Sequence, residues 1–103
     1  MLFEWDEAKN QENIRKHRID FDDVSEMFDS DMLVELDDRF DYGEERWIGT
    51  GFLRRGIAIV VWTERWGNVI RIISARKATP YEQKRFENYL SDGLGSTGEY
   101  ERE

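Results

Sequence analysis

The stretch IAIVVWTERWGNVIRIISA, which spans residues 57–75, decides the fold of this chain. Two runs rich in β-branched residues, 57–63 and 69–75, lie on either side of the turn-forming segment Arg65-Trp66-Gly67-Asn68. This pattern predicts two strands joined by a tight turn, and a connection that short requires antiparallel neighbours. We therefore expect this hairpin to form the last two strands of an antiparallel sheet.

Alternation along the second strand of this hairpin predicts which side chains face the rest of the protein. One face carries Ile70, Ile72 and Ser74, which we expect to lie against the helices. The opposite face carries Arg71, Ile73 and Ala75. Arg71 is therefore expected to project from the open face of the sheet.

Two shorter strands are predicted before the hairpin, from Met32 to Leu36 and from about Glu45 to Leu53. The segment Arg54-Arg55-Gly56 is typical of a tight turn between the second strand and the hairpin. Because every connection between these strands is short, the sequence predicts four antiparallel strands.

Three helices are predicted around this sheet. The first runs from about Asp6 to His17, with Asp6 as its N-terminal cap. A second, short helix begins after Asp20 and carries apolar residues at helical spacing as far as Phe28. The third begins at Thr79-Pro80-Tyr81-Glu82, where the threonine and glutamate form a capping box around a proline in the first turn.

The expected fold class is α+β, with two N-terminal helices, a four-stranded antiparallel sheet and a C-terminal helix. A chain of 103 residues has room for one core. We expect one domain over residues 1–91 and a flexible polar tail over residues 92–103. The chain has no cysteine, which excludes disulfides and cysteine-bound zinc. It shows no signal peptide or membrane-spanning run, so we expect a cytoplasmic location.

Charge is distributed unevenly along the chain. The net charge of −8 argues against nucleic-acid binding, because such affinity comes mainly from neutralised phosphates. Residues 1–48 carry a net charge of −10, residues 49–90 a net charge of +5, and residues 91–103 a net charge of −3. The basic middle segment is either a local anion site or a partner that neutralises the acidic first half within the fold.

His17 is the only histidine, and histidine is the residue whose unperturbed pKa lies near neutrality. On the first helix it shares one stripe with Lys9 and Asn13. His17 is therefore a candidate for proton transfer beside a bound phosphate. The alternative is that it is only a cation at the C-terminus of a helix, where the helix dipole favours it.

Cationic side chains also follow the last two predicted strands, with Arg65 on one strand and Arg71, Arg76 and Lys77 on the other. Arginine suits phosphate because its guanidinium group is planar, bidentate and always charged. These residues either form an anion site or pair with the acidic first half. Trp66, at the tip of the hairpin, is placed either to stack on an unpaired base or to cover its own turn. The carboxylates follow no metal-binding spacing, so no metal site is predicted.

Several of these stretches resemble the BrnT family of toxins. They are FEWDEAK at residues 3–9, NIRKH at 13–17, EERWIG at 44–49, TER at 63–65 and RIISARKA at 71–78. The resemblance runs in order from about Phe3 to Tyr89. The chain departs from the family pattern at Arg18, where glycine is common, and at Trp62, where a smaller aromatic residue or histidine is common.

The resemblance implies a fold similar to that of RelE-type ribonucleases, and RNA as the substrate. It also implies a partner, a BrnA-like antitoxin with a DNA-binding ribbon-helix-helix domain. In such a pair the antitoxin blocks the toxin, and the complex represses its own operon, so that operator DNA is bound only through the antitoxin.

We interpret the chain as an endoribonuclease that needs no metal and no other cofactor. The ribose 2′-hydroxyl attacks the adjacent phosphate, and the protein positions the backbone, assists proton transfer and stabilises charge. The predicted catalytic residues are Arg65 and Arg76 for charge stabilisation, His17 for proton transfer, and Lys9, which also contacts the RNA backbone. The predicted RNA-binding residues are Arg71, Lys77 and Trp66.

Two other functions stay open at this point. The first is an antitoxin-binding co-repressor that has lost catalysis, which the net charge of −8 and the single histidine favour. The second is a DNA-binding domain in its own right, although no basic recognition helix is visible in the sequence.

Overall fold

The computed structural model describes residues 1–95, in which a single sheet has five strands. They are β1 (Leu2–Glu4), β2 (Leu33–Leu36), β3 (Trp47–Leu53), β4 (Gly56–Arg65) and β5 (Val69–Lys77). Their order across the sheet is β1-β5-β4-β3-β2. The predicted hairpin is β4–β5, and the antiparallel pairing of the strands from β2 to β5 is confirmed.

The prediction of a four-stranded antiparallel sheet is wrong because β1 adds a fifth, parallel strand. Leu2 pairs with Val69, and Glu4 pairs with Arg71, along the outer edge of β5. A strand of three residues is too short for alternation to reveal it. The sheet is therefore mixed, and the pairing of β1 places Glu4 directly beside Arg71.

The first helix, α1 (Glu7–His17), is confirmed. The Asp6 carboxylate caps it by accepting hydrogen bonds from two backbone N–H groups of the first turn, at 2.9 and 3.3 Å. The second predicted helix is shorter than expected, because α2 (Phe21–Val24) continues as a 3₁₀ segment, Ser25–Asp29. Aspartate and serine are frequent in this stretch and are weak helix formers.

The last helix, α3 (Pro80–Gly95), has the predicted capping box. The Glu82 carboxylate accepts a hydrogen bond from the N–H of Thr79 at 2.9 Å, and the Thr79 hydroxyl accepts one from the N–H of Glu82 at 3.2 Å. The predicted start of the polar tail at residue 92 falls inside this helix. The remainder of that tail, residues 96–103, lies outside the described residues. No helix within residues 1–95 is long and apolar enough to cross a membrane.

The main core lies between the first two helices and one face of the sheet. Its buried residues on the two central strands are Ala58, Val60, Trp62, Ile70, Ile72 and Ala75. On the other face, the fully buried ring of Phe86 in α3 packs against Phe52 of β3, with 5.1 Å between the ring centroids. We call the sheet surface that α3 leaves uncovered on this side the open face.

A β-bulge in β5 changes which of its side chains reach the open face. Val61 of β4 pairs with Ser74, whereas the next residue, Trp62, pairs with Ile72. Ile73 is therefore an extra residue that has no partner on β4. One extra residue inverts the alternation of side chains along the rest of the strand.

This inversion corrects the predicted faces of β5. Ala75, expected on the open face, is 1% exposed and lies in the core, whereas Ser74, expected toward the helices, is exposed. Arg71 and Arg76 are five residues apart and would lie on opposite faces of a regular strand. Because of the bulge, both arginines lie on the open face.

Candidate active site

Four cationic side chains from four separate segments meet at a cavity of about 150 Å³. Its lining residues are Asp6, Lys9, Glu44, Arg46, Arg65, Arg71, Ile72 and Ile73, and we call it the Arg71 cavity. Lys9 comes from α1, Arg65 from the end of β4 and Arg71 from β5. These three residues were predicted as site residues, and the structure brings them together.

Glu4 holds two of these cations beside each other. Its Oε2 accepts a hydrogen bond from Nη1 of Arg71 at 3.1 Å and lies 3.8 Å from Nε of Arg65. All three side chains are only partly exposed. Glu4 was not predicted as a site residue, because its position depends on the parallel pairing of β1 with β5. If that pairing had been known, the position of a carboxylate opposite Arg71 would have identified Glu4 as a site residue.

Arg46, the fourth cation of this cavity, was also missed. Its guanidinium carbon lies 4.0 Å from the centroid of the Tyr42 ring, and its Nε donates to Glu44 at 3.2 Å. The Tyr42 hydroxyl donates in turn to the buried carboxylate of Asp37 at 3.1 Å. Hydrogen bonds from the Arg39 guanidinium lower the pKa of Asp37 to about 2. Asp37 therefore organises the loop that carries Arg46.

The position of α1 decides which of its polar residues reach the Arg71 cavity. Oδ1 of the buried Asn13 accepts a hydrogen bond from the N–H of Ala75 at 3.2 Å, and its Nδ2 donates to the Ile19 carbonyl at 3.0 Å. Lys9 and His17 are eight residues apart on this helix, which is about 12 Å along its axis. Lys9 therefore lines the cavity, whereas His17 lies outside it.

A second cavity, of about 270 Å³, lies between the open face and the first turns of α3. Its lining residues are Glu35, Arg39, Ile48, Thr50, Ile59, Val61, Ser74, Arg76, Glu82 and Arg85, and we call it the Arg76 cavity. Each of its three arginines is paired with a carboxylate. The pairs are Arg39 with Asp37, Arg76 with Glu82, and Arg85 with Glu35.

Glu82 orients Arg76 but leaves one edge of its guanidinium group available. The carboxylate accepts hydrogen bonds from Nη1 and Nη2 of Arg76, both at 2.8 Å, and these bonds lower the pKa of Glu82 to about 2. Nη1 also donates to the Lys77 carbonyl at 3.1 Å. The Nε–H and the second Nη2–H have no partner within residues 1–95. These two groups form the side edge of the guanidinium, which matches a phosphate bidentately.

The structure does not bring Arg65 and Arg76 to one phosphate. Arg65 lies at the hairpin end of β4. Arg76 of β5 pairs with Ile59, which lies six residues before Arg65 on β4. Six residues of a strand span about 20 Å. Both arginines lie on the side of the sheet away from the main core, but they line different cavities.

A third cavity, of about 440 Å³, lies at the opposite end of the sheet from the Arg65 hairpin. Its lining residues are Arg18, Ile19, Leu53, Arg54, Arg55, Gly56, Ile57, Ala58, Lys77, Ala78 and Gln83, and we call it the turn-end cavity. Lys77 lies here and not with the other predicted RNA-binding residues. His17 and Trp66 line none of these three cavities, and Trp66 is 78% exposed at the tip of its hairpin.

Most carboxylates near the first two cavities bond to guanidinium groups, whereas Asp6, which also lines the Arg71 cavity, caps α1. Glu4, Asp37 and Glu82 each accept hydrogen bonds from an arginine. Among residues 1–95 there is no group of three or more acidic or histidine side chains that could hold a metal ion. The open face is therefore a surface of oriented arginines, which suits a phosphate-bearing ligand.

Comparison with known proteins identifies the family of a chain with this fold. Residues 5–82 match the family described as "Ribonuclease toxin, BrnT, of type II toxin-antitoxin system". The chain therefore belongs to the BrnT family of ribonuclease toxins, and the resemblance noted in the sequence is confirmed.

The structure is also similar to the 1.1 Å crystal structure of the Brucella abortus ribonuclease toxin BrnT. The two share 29% sequence identity with a TM-score of 0.59, and the match covers 77% of this chain and 99% of that chain. A comparison with curated protein sequences gave no match. The α+β fold and the family thus rest on both sequence and structure.

Proposed function

We propose that the protein is an endoribonuclease that cleaves RNA at the Arg71 cavity without a metal or other cofactor. The observation that carries this proposal is the convergence of Lys9, Arg46, Arg65 and Arg71 from four separate segments on one small cavity. A cluster of this kind, oriented before the substrate arrives, stabilises the charge that develops on a phosphate during cleavage.

In the proposed reaction the ribose 2′-hydroxyl attacks the adjacent phosphorus. The new bond joins O2′ to phosphorus, the bond from phosphorus to O5′ breaks, and the products are a 2′,3′-cyclic phosphate and a free 5′-hydroxyl. Arg65 and Arg71 stabilise the negative charge on the phosphoryl oxygens. Lys9 donates a proton to the leaving O5′, while the proton of the 2′-hydroxyl passes to solvent. Lys9 takes this role in place of His17, which lies about 12 Å further along α1.

The remaining RNA is proposed to follow the open face toward α3. Arg71 pairs with Thr63 of β4, and Arg76 pairs with Ile59, four residues away on the same strand. The two arginines therefore lie about 13 Å apart along the sheet. The available guanidinium edge of Arg76 then binds a neighbouring phosphate and not the scissile one. At the other end, the exposed indole of Trp66 stacks on an unpaired base beside Arg65. His17 and Lys77 lie outside this path.

The test of this function is cleavage of RNA by the purified protein in the presence of EDTA. We expect cleavage to continue, with 2′,3′-cyclic phosphate and 5′-hydroxyl ends on the fragments. Cleavage that requires added divalent metal would contradict the proposal. A protein that cleaves no RNA and still binds its antitoxin would be the inactive co-repressor that the sequence left open.

The proposed partner is a BrnA-like antitoxin with a ribbon-helix-helix domain, which neutralises the toxin and represses the shared operon with it. The family to which the chain belongs supports this partner, because its members are toxins of type II toxin–antitoxin systems. Expression of the toxin alone is expected to arrest growth, and co-expression of the adjacent antitoxin gene is expected to restore it. Growth that does not depend on the adjacent gene would contradict the pairing.

A further inference from the structure

The turn-end cavity differs from the rest of the surface in the pairing of its cations. Nine of the lysine and arginine side chains in residues 1–95 form an ion pair with a carboxylate. The five that form none are Lys9, Arg18, Arg55, Lys77 and Lys84. Three of these five, Arg18, Arg55 and Lys77, line the turn-end cavity. The unpaired positive charge of residues 1–95 is therefore concentrated there.

Among residues 1–95, the lining of this cavity includes no carboxylate and is otherwise mainly aliphatic. A fourth cation, Arg54, pairs with Asp23, which does not belong to the lining. The aliphatic residues are Ile19, Leu53, Ile57, Ala58 and Ala78. A ligand for this cavity must therefore combine negative charge with apolar surface.

Two local structures bring guanidinium groups to the rim of this cavity. Arg18 is the left-handed C-terminal cap of α1, with a φ angle of 60°, and its N–H donates to the Ile14 carbonyl. Arg54, with a φ angle of 56°, lies in the two-residue turn between β3 and β4. The end of a helix and the turn of a hairpin account for both backbone conformations. Both residues line the cavity.

We infer that the turn-end cavity binds an acidic segment of the antitoxin that carries aliphatic side chains. Carboxylates of the segment pair with Arg18, Arg55 and Lys77, and its aliphatic side chains fill the apolar floor. With a net charge of −8, the chain repels an acidic segment over much of its surface, but not here. An RNA ligand fits less well, because the described part of the lining has no aromatic side chain on which a base can stack.

This site lies apart from the Arg71 cavity, so the two binding activities are separable. The inference rests on the proposed function only for the existence of the antitoxin and not for the cleavage of RNA. An antitoxin held here can reach the open face with another part of its chain. The turn-end cavity is then the attachment point, and inhibition takes place elsewhere on the toxin.

The test compares two double charge reversals in the full-length toxin. Arg55→Glu with Lys77→Glu changes the turn-end cavity, and Lys16→Glu with Lys84→Glu makes the same charge change on two exposed lysines outside it. The probe is the purified antitoxin encoded beside the toxin gene, titrated by calorimetry at low and high salt. We expect the cavity variant to bind at least about 100-fold more weakly than wild type, with a smaller salt dependence, and the control to bind within about threefold.

Three further measurements accompany this titration. Melting temperatures show whether each variant is folded, and the neutral pair Arg55→Gln with Lys77→Gln is expected to lose part of the affinity. RNA cleavage by the cavity variant is expected to stay within about twofold of wild type. Antitoxin binding of wild-type strength by the folded cavity variant would overturn the inference. Loss of RNA cleavage with unchanged antitoxin binding would also overturn it, because the cavity would then belong to the RNA path.

The failure of the proposed function has a different signature. A wild-type toxin that cleaves no RNA, but whose affinity for the antitoxin falls in the cavity variant, contradicts the ribonuclease proposal and supports this inference.

Discussion

The open face and the turn-end cavity are both rich in cations, but they present their charge in different ways. On the open face, carboxylates orient the arginines, as Glu4 does for Arg71 and Glu82 does for Arg76. In the turn-end cavity, three cations have no carboxylate partner among the described residues. A paired arginine is held in one direction while its carboxylate partner offsets part of its electric field, which suits a reaction that needs defined geometry. An unpaired cation attracts an acidic partner over a longer range.

A count of basic residues therefore does not locate an active site. The acidic first half neutralises much of the basic middle segment, as one interpretation of the charge pattern expected. Even so, the paired arginines line cavities, and Arg76 keeps donor groups available. Substitutions of paired and unpaired cations should therefore have different effects.

The largest expected effect is at Lys9, the unpaired cation of the Arg71 cavity. Lys9→Met should reduce single-turnover RNA cleavage by roughly 10²–10⁴-fold, because it removes the proton donor for the leaving oxygen. His17→Gln, on the same helix, should leave the cleavage rate within about twofold. A large loss in the His17 variant with a normal rate in the Lys9 variant would return proton transfer to His17.

Arg65→Ala should have the next largest effect, a loss of about 10²–10³-fold in cleavage rate with the fold intact. The matched control is Arg55→Ala, which removes the same side chain from an exposed position in the turn-end cavity. It should leave the cleavage rate within about twofold. If the two variants cleave RNA equally well, the contrast between the two regions is broken and the Arg71 cavity is not the active site.

Glu82→Gln should reduce stability rather than remove activity. The folded state lowers the pKa of Glu82 from 4.5 to about 2, because Arg76 bonds to its charged form. The ionised carboxylate therefore stabilises the fold above about pH 4.5, and this contribution is lost as the pH falls toward 2. At pH 7 we expect a loss of about 1–2 kcal/mol, discounted because the Arg76 side chain is 41% exposed.

Chemical unfolding of the wild type and the Glu82→Gln variant between pH 3 and pH 7 checks this prediction. The stability difference should shrink toward the acid end of the range. The titration of Asp37 is common to both proteins, so it cancels in the difference. A difference that does not change with pH would show that the ion pair with Arg76 contributes nothing.

The smallest expected effect is at Arg18, whose left-handed backbone favours glycine. Arg18→Gly should raise the stability by about 0.5 kcal/mol, because glycine relieves a strain of about 1 kcal/mol but orders a more flexible chain. Arg18→Ala removes the same charge and keeps the strain, so it should give no such gain. Both variants should bind the antitoxin more weakly. Equal melting temperatures for the two variants would show that the strain is absent.

Elements that depend on neighbouring residues were predictable from the sequence. The β4–β5 hairpin, the cap at Asp6 and the capping box at Thr79 are all confirmed, because each depends on residues within a few positions of one another. The second helix was predicted too long, since a helical spacing of apolar residues does not distinguish an α-helix from a 3₁₀ segment.

The candidate site was predictable in its residue types and only partly in its membership. Lys9, Arg65 and Arg71 meet as expected, whereas Arg76 and Lys77 each line another cavity. Arg76 and Lys77 were placed by their position at the end of the strand, and this end lies about 13 Å or more from Arg71. Side-chain alternation placed Ser74 and Ala75, and a single bulge at Ile73 inverts it. No local feature of the sequence marks this bulge.

The amino-acid sequence was sufficient for the family, the fold class and the basic character of the last two strands. The family follows from motifs that run in order along the chain, and the fold class from periodicity within each element. Which cations meet, which are paired and which remain available among residues 1–95 became clear only from the folded chain. Those outcomes depend on contacts between distant residues, such as Glu4 with Arg71, and on the register of strands. A hydrogen bond across the fold depends on the position of both partners, and only the packed chain determines that position.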